Sequence, residues 1–291
     1  DPGRDLDEHD ERERDAGTAC GHATIGGRQL VRRLSDSRFG ARYLARDTRR
    51  DTDGIVWMFD RVGEDRGPAV WSYLKRPAGV RKPHVLTVAA AGRDANGTWA
   101  VTPYVGNQHG IVSLESLRAA RGGAMSPFEV RRAVEQLLEA SAAAHRAGEY
   151  HGVLDPACIL VNPRGTLEIG MYGLASKIDH TRPAEDLIAD EVRSIGQIAE
   201  RLLTGDAGDA TQSAVDRARG THSLRSWIRR ACDPIDGFDT AAEAISALPA
   251  NHDDASERRL ESARALLGRL SAAVTPGRSR HETDGREKTR R

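Results

Sequence analysis

The apolar pattern of this chain changes its period once, and that change limits the fold more than any other feature. Up to about residue 105 the apolar runs are short and separated by turn dipeptides, and beyond it they recur at helical spacing. Arg28–Leu34 alternates, Gly40–Asp47 follows as its hairpin partner, and Ile55–Val62 is a third run after the turn at Asp53-Gly54. Val85–Ala91 and Trp99–Val105 flank Asn96-Gly97, the strongest short hairpin signal. One helix is expected near Ala69–Lys75, before Pro77. The order is three strands, a helix, then two strands.

In the second half, Ser126-Pro127-Phe128-Glu129 is a capping box with proline at the first helical position, and it opens a helix reaching about Arg146. Cys158–Val161 and Thr166–Ile169 flank a second hairpin turn. Amphipathic helices are expected over Glu191–Leu203, around Leu224–Ala231, from the capping residue Thr240 to Leu248, and over Ser256–Val274. Residues 1–26 hold eight acids against three arginines and little apolar surface, so they are expected to be a disordered acidic tail. Residues 250–291 are read as the amphipathic helix and a basic tail or linker.

Charge and composition remove several function classes. The 43 basic and 43 acidic residues cancel, which argues against a nucleic-acid binder that relies on bulk positive charge. There is no apolar run long enough to span a bilayer. Cys20, Cys158 and Cys232 are isolated, so neither a disulfide framework nor a zinc site is expected. No signal peptide is visible and the chain begins with Asp1, so it is read as a cytoplasmic protein or a piece of a longer one. Only Lys75, Lys82, Lys177 and Lys288 are lysines.

Five segments, in order, resemble protein kinases, closest to bacterial Ser/Thr-type kinases. Ala144 to Val161 is similar to the catalytic loop A-H-x-x-G-x-x-H-R-D-L-K-P-x-N-I-L-V, and Leu167 to Ala175 to the D-F-G-L-A segment. Glu191-Val192-Arg193-Ser194-Ile195-Gly196 followed by Leu202-Leu203-Thr204-Gly205 resembles D-V-Y-S-L-G…L-L-T-G. Ala231-Cys232-Asp233-Pro234 to Phe238 resembles A-x-D-P-x-x-R-F, and Arg38 to Asp47 the end of the glycine-rich loop and its next strand. The resemblance implies an α+β, two-lobed protein kinase-like fold. A small five-stranded antiparallel N-lobe would cover 27–105 and a larger, mainly helical C-lobe 106–249.

Phosphoryl transfer by this family needs a third-strand lysine, a helix glutamate, an aspartate base, and an asparagine and aspartate for magnesium. By the resemblance, the lysine position falls on Met58 or Phe59, and no lysine precedes Lys75. There is no Asp or Glu between Arg66 and Arg93, so the helix glutamate is missing whatever the alignment. The base is Val153, the lysine two residues on is Asp155, the asparagine is Cys158 and the D-F-G aspartate is Met171. Sulfur does not suit a hard cation. Ser35 and Ser37 replace two loop glycines and Gly40 remains, while Thr102 stands at the gatekeeper and Tyr104 in the hinge of the former nucleotide cleft.

These losses imply a pseudokinase, an interaction or allosteric signalling module with no catalytic residues and with ATP and magnesium binding weak or absent. The alternative is an unorthodox Ser/Thr kinase or other phosphoryl or nucleotidyl transferase, with Asp155 as base or metal ligand and Glu168 or Glu149 as a second acid. A protein partner is expected. Arg66, Lys75, Arg76, Arg81 and Lys82 form an acid-free stretch suited to a phosphorylated or acidic segment.

Overall fold

The computed structural model describes residues 23–34, 36–76, 81–106, 112–120, 124–178, 182–205 and 219–249. The expected helix at Ser256–Val274, both tails, Cys20 and Ser35 lie outside the described residues.

The N-terminal half is an antiparallel sheet of six strands in the order β1-β2-β3-β4-β6-β5. The strands are β1 (Thr24–Ile25), β2 (Arg28–Arg33), β3 (Arg42–Asp47), β4 (Thr52–Met58), β5 (Ala90–Asp94) and β6 (Gly97–Pro103). The sixth strand, beyond the five expected, is the short β1, which pairs back on β2 from within the stretch expected to be disordered. Helix α1 (Gly67–Leu74) lies between β4 and β5 in sequence and buries Val70, Tyr73 and Leu74. The run Val85–Ala91 does not form the expected strand. Val85 makes one parallel bridge to Ile169 and ladder pairing begins only at Ala90, because Leu86 N–H bonds to the helical lobe at Ile169.

The second half holds α2 (Leu114–Ala120), α3 (Pro127–Arg146), α4 (Leu174–Ile178), α5 (Ala184–Thr204), α6 (Arg219–Cys232) and α7 (Ala241–Ser246). A small sheet, β7 (Val112–Ser113), β8 (Ile159–Val161) and β9 (Leu167–Ile169), lies beside them in the order β7-β8-β9. The capping box at Ser126 forms both of its reciprocal bonds with Glu129, and Thr240 accepts from Glu243 N–H, contributing about 1 kcal/mol each. Helix α5 starts seven residues before the expected Glu191: Pro183 stands at its N-cap and Glu185 and Asp186 occupy its first turn.

Three apolar clusters hold the molecule together. One joins α3, α5, α6 and α7 around Leu137, Ile195, Trp227 and Phe238. A second lies on the outer face of the six-stranded sheet, where Val56, Met58, Ala45 and Val101 pack with Ile25 and Leu30. The third joins the two halves: Ile55, Trp57, Phe59 and Phe39 from the sheet side meet Cys158, Leu160, Met171 and Leu174 from the helical side, with α1 alongside.

Candidate functional site

The surface between the lobes is where the missing catalytic positions were expected to meet. Side chains alternate along β4, so Ile55 and Trp57 face the helical lobe while Val56 and Met58 face the outer cluster. Met58 therefore stands outside the cleft. Phe59 is on the inner side but packs on Phe39, with ring centroids 6.3 Å apart. The residue that crosses the cleft is Trp57, which the sequence reading did not assign. Its ring lies so close to Gly170 that a Cβ there would sit 2.4 Å from it. Its Nε1 donates to Thr102 Oγ1 at 3.0 Å, so the gatekeeper hydroxyl is engaged by the protein itself.

Arg42 completes the filling. Its guanidinium lies 5.2 Å from the Trp57 ring centroid, donates through Nη1 to Ala157 O at 3.0 Å and through Nη2 to Asp36 O at 3.4 Å. The side chain is buried; burial lowers its pKa, while the carboxylates of Asp155 and Asp36 oppose that shift. Arg38 Nη1 donates to Val153 O at 3.4 Å. The β2–β3 loop, through Arg38, and the start of β3, through Arg42, are thus each tied to the stretch resembling the catalytic loop. Within that loop Ser37 and Gly40 exchange both backbone hydrogen bonds, at 2.9 and 3.1 Å. Gly40 is required by packing: a Cβ would lie 1.9 Å from Asp60 Oδ1. Tyr104 is partly buried against the same cluster, which pushes its phenol up to about 12.

The remaining positions are structural in geometry. Val153 is 53% exposed. Asp155 caps the 3-10 turn Pro156–Cys158, accepting from Ala157 N–H at 2.9 Å, and its second oxygen lies 3.6 Å from Cys158 Sγ. Burial, with Asp155 beside it, pushes the Cys158 thiol up to about 12, so it is neutral and a poor ligand or nucleophile. Met171 is wholly buried at φ +55° among the apolar residues that join the lobes. Magnesium does not fit these donors: Cys158 and Met171 offer sulfur where oxygen is needed. Among the described residues no group of three or more His, Cys, Asp or Glu could hold a metal ion. Glu149 is held by Lys82 Nζ at 2.9 Å and Arg76 at 3.7 Å, and Glu168 is half-buried on β9, its pKa raised by burial. Neither joins Asp155 in a constellation.

Directly behind this apolar filling is a polar hub on Glu191, a buried carboxylate of α5. It accepts from Ser141 Oγ, from Tyr172 Oη, from His145 Nε2 at 3.3 Å and from His151 N–H at 2.9 Å. Burial pushes its pKa up, but hydrogen bonding from His145 and Ser141 and the two nearby imidazoles outweigh that, leaving it below the usual range. Burial pushes His151 down to about 4, so the ring is neutral and its Nδ1 accepts from Gly173 N–H at 2.9 Å. Tyr73 of α1 donates to Tyr172 O at 2.8 Å, linking the small-lobe helix to the same hub.

The expected docking stretch does not form one open face. Arg76 stacks on Tyr73 and pairs with Glu149, which Lys82 also holds. Lys75 and Arg93 lie over Trp71, at 4.9 and 4.8 Å from its ring centroid. Arg66 and Arg81 remain on the surface.

No profile of an established family matches the chain. A probable serine/threonine-protein kinase, pknA2, of Bifidobacterium longum is 30% identical over 275 residues, covering 84% of this chain and 35% of that protein. CBL-interacting protein kinase 17 of Oryza sativa subsp. japonica is 27% identical over 196 residues, covering 66% of this chain and 42% of that protein. The chain spans well under half the length of these two relatives. Among solved structures, the PknI kinase domain of Mycobacterium tuberculosis matches with a TM-score of 0.61 and 17% identity, over 79% of this chain and 98% of that one.

Proposed function

We propose that this chain, which belongs to the protein kinase-like superfamily, is a pseudokinase that works as a protein-interaction or allosteric signalling module. One observation carries the reading. The space between the lobes is filled by the chain's own Trp57 and Arg42, the first against Gly170 and Thr102 and the second bonded across to Ala157. A nucleotide would have to displace a buried indole and break that bond. By the resemblance, the groups that phosphoryl transfer uses to hold phosphates and metal are replaced by Met58 or Phe59, Val153, Cys158 and Met171. The enzyme alternative needs Asp155 free, and Asp155 is engaged as a turn cap.

The test is a thermal shift with Mg-ATP. A ligand that binds only the folded state raises its stability in proportion to the logarithm of concentration. No dose-dependent rise in Tm is expected; a robust rise overturns the closed-cleft reading. Transfer of labelled phosphate from ATP to a generic protein, lost in Asp155→Ala, would establish the enzyme instead.

A further inference from the structure

A second concave site lies away from the filled cleft, under the C-terminal end of α1. It is a cavity of about 180 Å³ where Arg76, the turn at Glu149-Tyr150, the helix α4 and the start of α5 meet. Three cations from three different segments line it: Arg76, Lys177 and Arg182. The one lining carboxylate, Glu149, is already held by Lys82 and Arg76. Arg182 pairs with Asp190 at 2.6 Å, and Asp190 also pairs with Arg193 at 2.6 Å. Lys177 is exposed and has no carboxylate partner among the described residues.

The backbone adds to this surplus. Ala184, the first residue of the 21-residue α5, lines the cavity, and the N-cap Pro183 supplies no side-chain hydrogen bond. The orphan N–H groups and positive dipole end of a long helix therefore stand beside the three cations. Glu185 and Asp186 of that first turn are exposed and are not among the lining residues. The cavity is smaller than the roughly 300–1,000 Å³ of small-molecule pockets, which argues against a whole nucleotide. It suits a single phosphoryl group carried on a side chain, whose charge of about −1.5 to −2 and three acceptor oxygens match several donors at once.

We propose that this cavity binds a phosphate monoester, presented as a phosphorylated serine or threonine side chain of a partner protein. The inference deepens the interaction-module reading and rests on it for the partner alone. It also moves the recognition surface. Of the basic residues expected to dock a phosphorylated segment, only Arg76 takes part, and Lys177 and Arg182 from beyond the catalytic-loop region join it.

The test uses the full chain and a glycine-flanked phosphoserine peptide, followed by ³¹P NMR at physiological salt. Saturable broadening of the phosphoserine line is expected, with competition by inorganic phosphate and no binding by the unphosphorylated peptide. Lys177→Glu should weaken binding at least about tenfold while leaving the unliganded Tm unchanged, since Lys177 is exposed. Should that variant misfold, Lys177→Gln takes its place with the same expectation in smaller degree. Three outcomes overturn the site: no saturable peptide binding, peptide binding that a folded Lys177 variant leaves intact, or binding of inorganic phosphate alone. An Mg-ATP shift in the same sample would sink the closed-cleft reading and leave this site standing. Silence toward the phosphopeptide would do the reverse.

Discussion

The filled cleft and the Glu191 hub are neighbours that have been built in opposite ways. In the cleft, the positions that the resemblance gives to phosphate- and metal-holding groups fall on Met58 or Phe59, Val153, Cys158 and Met171, and all but Val153 are buried. In the hub, a carboxylate with no exposure collects four donors from α3, the catalytic-loop stretch and the D-F-G-like segment. The contrast separates two ways of treating polar groups at one boundary between the lobes. Charges that serve transfer can be replaced by packing without leaving anything unpaired. A buried carboxylate that holds backbone and side-chain donors together cannot be removed so simply, because every donor it satisfies would be orphaned.

Four measurements break or sharpen that contrast. The largest effect is expected for Glu191→Ala, which strands four donors in the interior. A loss of more than about 5 kcal/mol, enough to unfold a domain of ordinary stability, should be seen in urea denaturation. A loss below about 1 kcal/mol would show that the hub is ornamental. Trp57→Ala comes next. Removing a buried indole should cost roughly 3–5 kcal/mol by cavity formation, with Thr102 Oγ1 losing its donor. It is also the change most able to create a response to ATP.

The third effect is in pH. His151 has a folded pKa of about 4 against an ordinary 6.5, so the unfolded chain binds the proton more readily between those values. Its stabilising contribution is complete above about 6.5 and is lost as pH falls towards 4, about 3 kcal/mol in all. Glu191, held below its usual range, shifts the same way only at more acid pH. Tm should fall between pH 7 and 5, and His151→Gln, which still offers an acceptor to Gly173 N–H, should flatten that slope. The smallest effect is Arg42→Met. A flexible apolar chain can keep the contact with Trp57 while removing a buried charge, so stability should change by about 1 kcal/mol or less. A large loss would make Arg42 a strut equal in weight to Glu191.

Much of this was legible in the chain. The single change of period, the Asn96-Gly97 turn, and the capping residues Ser126 and Thr240 all point to the elements they form. The cleft was harder. Gly54-Ile55-Val56-Trp57-Met58-Phe59 is apolar throughout because both faces of β4 are covered, so alternation cannot reveal which residue faces inward. A register shift of one exchanges the two faces, so the sequence leaves Met58 and Phe59 both open, and only the fold puts Phe59 on the inner face and Met58 on the outer. The early start of α5 carried a signal in Pro183 followed by Glu185 and Asp186, but the apolar period is regular only from Glu191 on. The hub and the basic cavity were not legible, since they join residues as far apart as Ser141 and Glu191, or Arg76 and Arg182, and no local pattern marks such a meeting.

The contact between Trp57 and Gly170 also has a consequence in time. With the indole in place, a methyl group at position 170 would sit 2.4 Å from it, so glycine is the only residue that position accepts. The two sites can therefore change over generations in one order alone, with Trp57 replaced first. That first step empties part of the interior and lowers stability before any later substitution can restore a use for the space. Any route to a larger residue at position 170 therefore begins at Trp57 and starts with a loss of stability.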